Sequence, residues 1–244
     1  MREYLRRFYR ENMHAAGLVS FRVAVRESDL FIFAARDLAA EARVSLTRHR
    51  ADLEGFISRQ PRFRVSYRPY AVPDDSPEVV RLMAGAAERV GVGPMAAVAG
   101  ALAELVGRDL GSLSPEVIVE NGGDIFIRSG RERRVGIFAA ESPLSGRLAL
   151  KVPPTPAEGL GVCTSSATVG PSHSAGGADS AVVVAESAAL ADAAATALGN
   201  RAKGPDRIEE ALAAVAEIEG VIGCLVIMGD ALGVRGDLVL EKIS

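Results

Sequence analysis

Two runs near the start of the chain, LVSFRVAV at 18–25 and LFIFAA at 30–35, are rich in β-branched and aromatic residues and flank the polar loop Glu27-Ser28-Asp29. They predict two antiparallel strands joined as a hairpin. From Asp37, a residue able to cap a helix, the apolar positions Leu38, Val44, Leu46, Leu53 and Phe56 recur with helical spacing to about Ser58. One long amphipathic helix should end there, before Pro61. Residues 63–70 read as a strand and 73–77 as a loop, in which Ser76-Pro77-Glu78 makes a good helix start. The helix over about 77–90 stops at Gly91-Val92-Gly93-Pro94, and an alanine-rich helix follows over about 95–107. Its small residues Ala96, Ala97, Ala99, Gly100 and Ala101 would let another backbone, or a ligand, come close.

Further on, Val117–Val119 and Ile125–Ile127 flank Asn121-Gly122-Gly123-Asp124, the strongest hairpin signal in the chain. Strands are expected at 135–139, 147–152, 161–165 and 181–185. A helix over 187–198 should end at Gly199-Asn200, and another should run over 206–219. VIGCLVIM and LVLEKI, on either side of Gly229-Asp230, read as a closing hairpin. Because strands and helices come in blocks, the pattern favours an α+β fold with a mainly antiparallel sheet packed by helices. The element order of the two halves is loosely alike, so we expect one domain over residues 1–244 with room for two intimately packed halves.

Composition narrows the possible partners. With 244 residues, 48% of them hydrophobic, the chain can bury a substantial core, and its net charge of −3 provides no global basic field for nucleic acid or an anionic membrane. The arginine-rich stretches MREYLRRFYR and RHRADLEGFISRQPRFRVSYR are mixed with acids and apolar residues and read first as solvated faces. Cys163 and Cys224 sit in separate apolar segments, as free buried thiols do. No apolar h-region follows the first arginines, and no run of about 18 uncharged apolar residues appears. Cytoplasm is the expected compartment.

Candidate chemistry concentrates between Cys163 and Asn200. No lysine or arginine occurs between Lys151 and Arg201, although Glu158, Asp179, Glu186 and Asp192 all do. A phosphate bound here would need another cation. The helix over 187–198 is apolar nearly all round and should be buried, yet Asp192 and Thr196 lie one turn apart on a single face. A carboxylate removed from water needs a partner. A divalent cation would serve, with the Thr196 hydroxyl as a second hard oxygen ligand; alternatively Asp192 pairs with an arginine and Thr196 bonds back to the Asp192 carbonyl.

His173, in GPSHSAGG, is either a general acid or base beside an anion cradle that includes Gly176 and Gly177, or a surface-loop histidine. Thr164-Ser165-Ser166 supplies hydroxyls after a strand, but no Gly-x-Ser-x-Gly surrounds them. The Asn-Gly-Gly-Asp turn is explained by turn chemistry alone. P-loop, zincin, Cys-x-x-Cys and dinucleotide-fold motifs are all absent.

Taken together, Asn121-Gly122-Gly123-Asp124 after a strand, then Thr164-Ser165, the His173 loop, and a Val-rich strand leading into Ala191-Asp192-Ala193-Ala194-Ala195-Thr196-Ala197 resemble the ApbE-like superfamily of FAD:protein FMN transferases. The resemblance spans roughly residues 93–200 and is closest to a short branch without a signal peptide. It implies a T-fold-related α+β architecture, Mg²⁺ held by Asp192 and Thr196 with a backbone carbonyl such as that of Ala97, and FAD bound through its diphosphate. The Asn121-Gly122-Gly123 turn would lie against the flavin. The activity implied is FMN transfer from FAD to a hydroxyl acceptor on a protein, or hydrolysis of the FAD pyrophosphate. Family transferases carry an Ala-Lys-Gly-Tyr type of segment where this chain has Ala97-Val98-Ala99-Gly100-Ala101, and a longer His segment. Those departures keep two alternatives open: a non-catalytic flavin or nucleotide binder, and a scaffold acting through protein contacts at its basic first 70 residues.

Overall fold

The computed structural model describes residue 10, residues 13–166 and residues 177–243. Two strands open the fold, β1 (Val19–Val25) and β2 (Ser28–Ala34), followed by the helices α1 (Ala39–Arg59), α2 (Arg62–Val65) and α3 (Glu78–Val90). A 3-10 turn, Pro94–Ala97, leads into α4 (Val98–Leu110). Next come β3 (Val117–Asn121), β4 (Asp124–Arg128), β5 (Arg133–Gly136), β6 (Leu148–Val152), β7 (Leu160–Ser165) and β8 (Ser180–Ala185). The chain ends with α5 (Ala188–Arg201), α6 (Ile208–Ala216), β9 (Val221–Met228), β10 (Ala231–Gly236) and β11 (Val239–Lys242).

Eight strands form one sheet in the order β1-β2-β3-β4-β7-β8-β9-β10, and β11-β6-β5 form a second. Every pairing is antiparallel, as the block pattern predicts. No single helix among the described residues is long and apolar enough to cross a membrane.

Strand alternation divides the interior into two cores. On β3, β4, β7, β8 and β9 the residues Val119, Phe126, Cys163, Val183 and Val226 face the helices. Their neighbours Ile118, Ile127, Val162, Val182 and Leu225 face the small sheet, where Leu148, Leu150 and Val152 of β6 meet them. With both faces of these strands covered, the sequence shows unbroken apolar runs such as AVVVA. Residues toward the helices include many small ones, Ala181 and Ala185 among them, so α4 and α5 settle closely on the sheet.

Four expectations change. Residues 63–70 form no strand; the chain makes the short α2 and then runs irregularly, because Phe63 is an anchor stacked edge-on against Phe56 and Tyr70 at 5.1 and 5.7 Å. Val44 is 71% exposed, and the buried face of α1 instead includes Ser45 and His49, whose polar atoms both meet Asp109 Oδ2. The helix α5 does not stop at Gly199. It continues to Arg201, with Gly199 buried and in ordinary helical conformation. Finally, β9 pairs across Gly229-Asp230 with β10, not with the last strand; Val239–Lys242 joins β6 in the second sheet.

Gly100 illustrates the close fit between the two central helices. A Cβ there would drive into the Ala188 carbonyl oxygen and come within 2.8 Å of the Asp192 Cβ. Both obstacles belong to the body of α5 and cannot swing aside. Gly100→Ala should therefore cost about 2–3 kcal/mol despite alanine's better helix propensity, measured as a lower urea midpoint with an unchanged denaturant slope.

Candidate functional site

The helices α4 and α5 cap each other. In α4 the amides of Ala99 and Gly100 fall in the first turn, where no intrahelical acceptor exists. The Asp192 carboxylate, projecting from α5, takes both: Gly100 N–H donates to Oδ2 at 2.9 Å, and Ala99 N–H bonds to the same group. Glu104 does the converse. Its Oε2 accepts from Ala189 N–H at 3.1 Å and from the Ser187 hydroxyl at 2.7 Å, at the first turn of α5. Each carboxylate thus lies at the positive end of the other helix's dipole. Their counterions differ. Glu104, 1% exposed, also pairs with Arg108 one turn along, whereas Asp192 has no arginine or lysine partner among the described residues.

Asp192 instead faces a second acid. Asp124 opens β4 and shares a strand face with Phe126, so its side chain enters the helical layer. It is 8% exposed, and its Oδ1 has no hydrogen-bond partner among the described residues. Burial first, then the charges of Asp192 and Glu120, push the Asp124 carboxyl well above the usual range; the Cys163 thiol and the Thr164 amide offset only part of this. Asp192 is pushed up to about 7 by burial, against the two amides that favour its ionised form. The Cys163 thiol is raised by burial and by both acids.

The other predicted site residues gather unevenly. Asn121 is buried at the end of β3, and its Nδ2 donates to the Ala99 carbonyl at 3.1 Å, fastening the turn to the start of α4. Gly122 and Gly123 have φ of 74° and 105°, as a two-residue hairpin turn requires. The Gly123 amide donates to Glu120 Oε1 at 2.9 Å, and Glu120 Oε2 accepts from Arg10 Nε at 2.6 Å. Thr164 lies beside Gly123, while Ser165 follows it on β7, opposite Ala181.

Thr196 is half-buried on the Asp192 face of α5, and it makes no hydrogen bond back to the Asp192 carbonyl among the described residues. Neither half of the purely structural alternative, the arginine partner or the back-bond, is therefore found there. Ala97 is buried in the 3-10 turn, which packs on α5. Gly177 stands apart, its amide already bonded to Ala202 O at 2.9 Å beyond the far end of α5. His173 and Gly176 lie outside the described residues.

Among the described residues no three His, Cys, Asp or Glu side chains form a ready-made metal cluster. A cation here would need hydroxyl and carbonyl oxygens beside the two aspartates, a donor set that suits a hard ion.

Residues 10–230 match the family model described as AbpE bacteria. The chain belongs to this family. Among its relatives are the UPF0280 protein of Methanopyrus kandleri, 41% identical over 227 residues covering 90% of this chain and 91% of the relative, and that of Methanocaldococcus jannaschii, 39% identical over 222 residues covering 89% and 90%. Its fold is similar to those of solved flavin transferases. Flavin transferase ApbE from Vibrio cholerae aligns with a TM-score of 0.53 at 15% identity, covering 89% of this chain and 96% of that one. The apo form of Pseudomonas stutzeri flavinyl transferase ApbE gives 0.54 at 16%, covering 92% and 94%. The ApbE-like resemblance read from the motifs and the antiparallel α+β class read from the block order of the elements both hold.

For this AbpE family member the residue that sequence reasoning passed over is Asp124. Turn chemistry is enough to explain it in the sequence, although the period of the strand puts it on the face of Phe126. Glu104 was also missed, and nothing in the sequence marks it beyond a lone acid on an alanine-rich helix.

Asp124 and Asp192 both have native pKa values above their unfolded ones, so folding takes up protons at these sites. The stability belonging to their neutral forms is complete below about pH 4 and is lost as pH rises, for Asp192 through about 7. Asp124→Asn should raise the urea-unfolding free energy of the metal-free protein at pH 8 by about 1–3 kcal/mol, the usual cost of a buried polar group left without a partner. The gain should shrink toward zero near pH 4; an equal gain at both pH values would show that the acid pair is not strained.

Proposed function

We propose that this protein binds FAD through a divalent cation, Mg²⁺, and transfers its FMN half to a hydroxyl acceptor. The reading rests on one observation above the others: two carboxylates, Asp124 and Asp192, are held together with both pKa values raised and, among the described residues, with no partner for Asp124 Oδ1 and no basic side chain to neutralise the pair. Such a pair calls for a cation. Asp192, Thr196 and the Ala97 carbonyl would hold it, with Asp124 added from the structure. When bound, Mg²⁺ would supply neutralisation of the diphosphate and of the charge that develops on it.

The chain's own residues do the positioning. The two α4 amides and the packed Gly100 fix the Asp192 rotamer, so the carboxylate needs no reorganisation. The Asn121-Gly122-Gly123 turn, tied to Ala99 and Glu120, offers a flat backbone edge beside Thr164 and Ser165 for the flavin. His173 is assigned the proton: it would take it from the acceptor hydroxyl as that oxygen bonds to the FMN phosphorus, the pyrophosphate P–O bond breaks, and AMP leaves. With water as acceptor the same step is FAD hydrolysis. Two solved neighbours of the same fold, a flavin transferase and a flavinyl transferase, support this reading. The missing lysine and aromatic at 97–101 favour the non-catalytic binder as the second reading.

Isothermal calorimetry with FAD should show binding only with Mg²⁺ present, abolished in Asp192→Ala and weakened at least tenfold in Thr196→Ala. Absence of binding to any flavin nucleotide defeats both readings. AMP release from FAD, reduced about a hundredfold or more in His173→Ala, on the usual scale of general acid–base catalysis, selects the enzyme; binding without release selects the binder. Since the ligating carboxylates must be ionised, the rise in melting temperature on adding Mg²⁺ should be small at pH 5.5 and large at pH 8. A pH-independent rise would argue against the acid pair as the metal site.

A further inference from the structure

Of the basic run MREYLRRFYR, Arg10 falls among the described residues, and its side chain is not solvated. It is 10% exposed, with the guanidinium 5.6 Å from the centre of the Phe31 ring. Its charge is engaged on two strands. On β2, Nη2 donates to the Asp29 carbonyl at 2.6 Å, and Nη1 stands 3.1 Å from the Asp29 carboxylate. On β3, Nε and Nη2 both reach Glu120 Oε2, at 2.6 and 2.5 Å, and the Glu120 side chain is 1% exposed.

Through Glu120 the arginine reaches the turn that leads to Asp124. Glu120 follows Val119 on β3, so its side chain leaves the sheet on the side of the second core, opposite the helices and beside Phe31 in the register of β2 with β3. Met13, Ala15 and Leu18 pack on the same core. The other Glu120 oxygen, Oε1, accepts from the Gly123 amide. Asn121, one position on, points the opposite way and bonds to the Ala99 carbonyl at the start of α4. The turn is therefore gripped from both faces of the sheet, by Asn121 on the helical side and by Arg10, through Glu120, on the other.

Hairpin chemistry alone does not require such a grip. Gly122 and Gly123, both at positive φ, enter a tight turn readily, but they are also the least restrained residues a chain can place there. A ligand that binds to an unheld backbone edge must order it first, at a cost to affinity. Fold stability does not account for the ion pair either. An apolar side chain in place of Arg10 would cover Phe31 with less desolvation, and buried ion pairs are often no more stabilising than apolar replacements. What the guanidinium adds is a rigid fork, with separate N–H groups for Asp29 and for Glu120.

We propose that Arg10 is a positioning residue for the flavin turn: acting through Glu120, it holds the Gly123 amide and keeps the Asn121–Asp124 turn in the orientation that meets the ligand. The identity of that ligand rests on the flavin reading; the clamp itself is measurable without it.

The test compares the full wild-type chain with two variants, following the Gly123 amide by hydrogen exchange in ¹⁵N-glycine-labelled protein and ligand binding by calorimetry. In Arg10→Gln the Gly123 amide should exchange about tenfold faster, and FAD with Mg²⁺ should bind about tenfold more weakly, the loss expected when a ligand must order the edge it binds. Mg²⁺ alone should bind at least as tightly as in the wild type, because the variant removes the positive charge beside Glu120, whose own charge reaches Asp124. A role confined to folding would weaken metal and FAD binding together, and that result would overturn the proposal. The second variant, Arg10→Met with Glu120→Gln, removes both charges of the pair while keeping a side-chain acceptor for Gly123. It should fold, with fast Gly123 exchange and weak FAD binding. Wild-type exchange and affinity in this protein would show that Arg10 merely neutralises Glu120, and would equally overturn the proposal. If the wild-type protein binds no FAD, the flavin reading falls on its own and the exchange result decides the clamp: unchanged Gly123 exchange in both variants refutes it, and faster exchange upholds it.

Discussion

The reciprocal capping of α4 and α5 is the contact on which the rest of the structure depends. Each helix begins inside the protein, where its first amides have no water to bond, and each is completed by an acid from the other. Neither helix can be moved without uncapping its neighbour. Because α4 lies on β3 and β4 and α5 on β7 and β8, this one contact also sets the two halves of the large sheet relative to each other. Small residues at the crossing are a requirement of that geometry: a carboxylate on Asp192 reaches the Gly100 amide only when the backbones nearly touch.

Much of the fold was legible in the sequence because burial writes itself as period. The two hairpins at 18–35 and 117–128, the long α1, and the glycine stop after α3 follow from local chemistry and were read with little error. The failures share a cause, which is that a distant partner decided the outcome. Phe63 took its conformation from Phe56 and Tyr70; Val239–Lys242 found β6, about ninety residues earlier, in place of β9; and Gly199 stays helical because it is buried. The candidate site divides in the same way. Asp192 and Thr196 were visible as polar residues on a buried helix without nearby cations. Asp124 was hidden because a Gly-Gly-Asp turn needs no further explanation, and only the sheet reveals that its side chain turns inward toward Asp192.

The two capping acids have come to different ends. Glu104 performs the structural task with Arg108 beside it and is electrically closed. Asp192 performs the same task with Asp124 beside it and is left in surplus. A fold that needed only to cap its helices would favour an arginine or an amide near Asp192, since its charge pushes the neighbouring Asp124 carboxyl up and weakens the native state. Stability is given up locally where a ligand would restore it.

The last strand has a consequence for the order in which the molecule is assembled. Leu240 pairs with Leu150, a separation of ninety positions, and Leu240 also packs against the second core. During synthesis the large sheet has all eight strands once Gly236 has emerged, yet β6 still lacks one neighbour and the second core remains open along that side. The β6–β11 pairing is thus a contact of high sequence separation, and it can form only where β6 is already in place to receive the last strand.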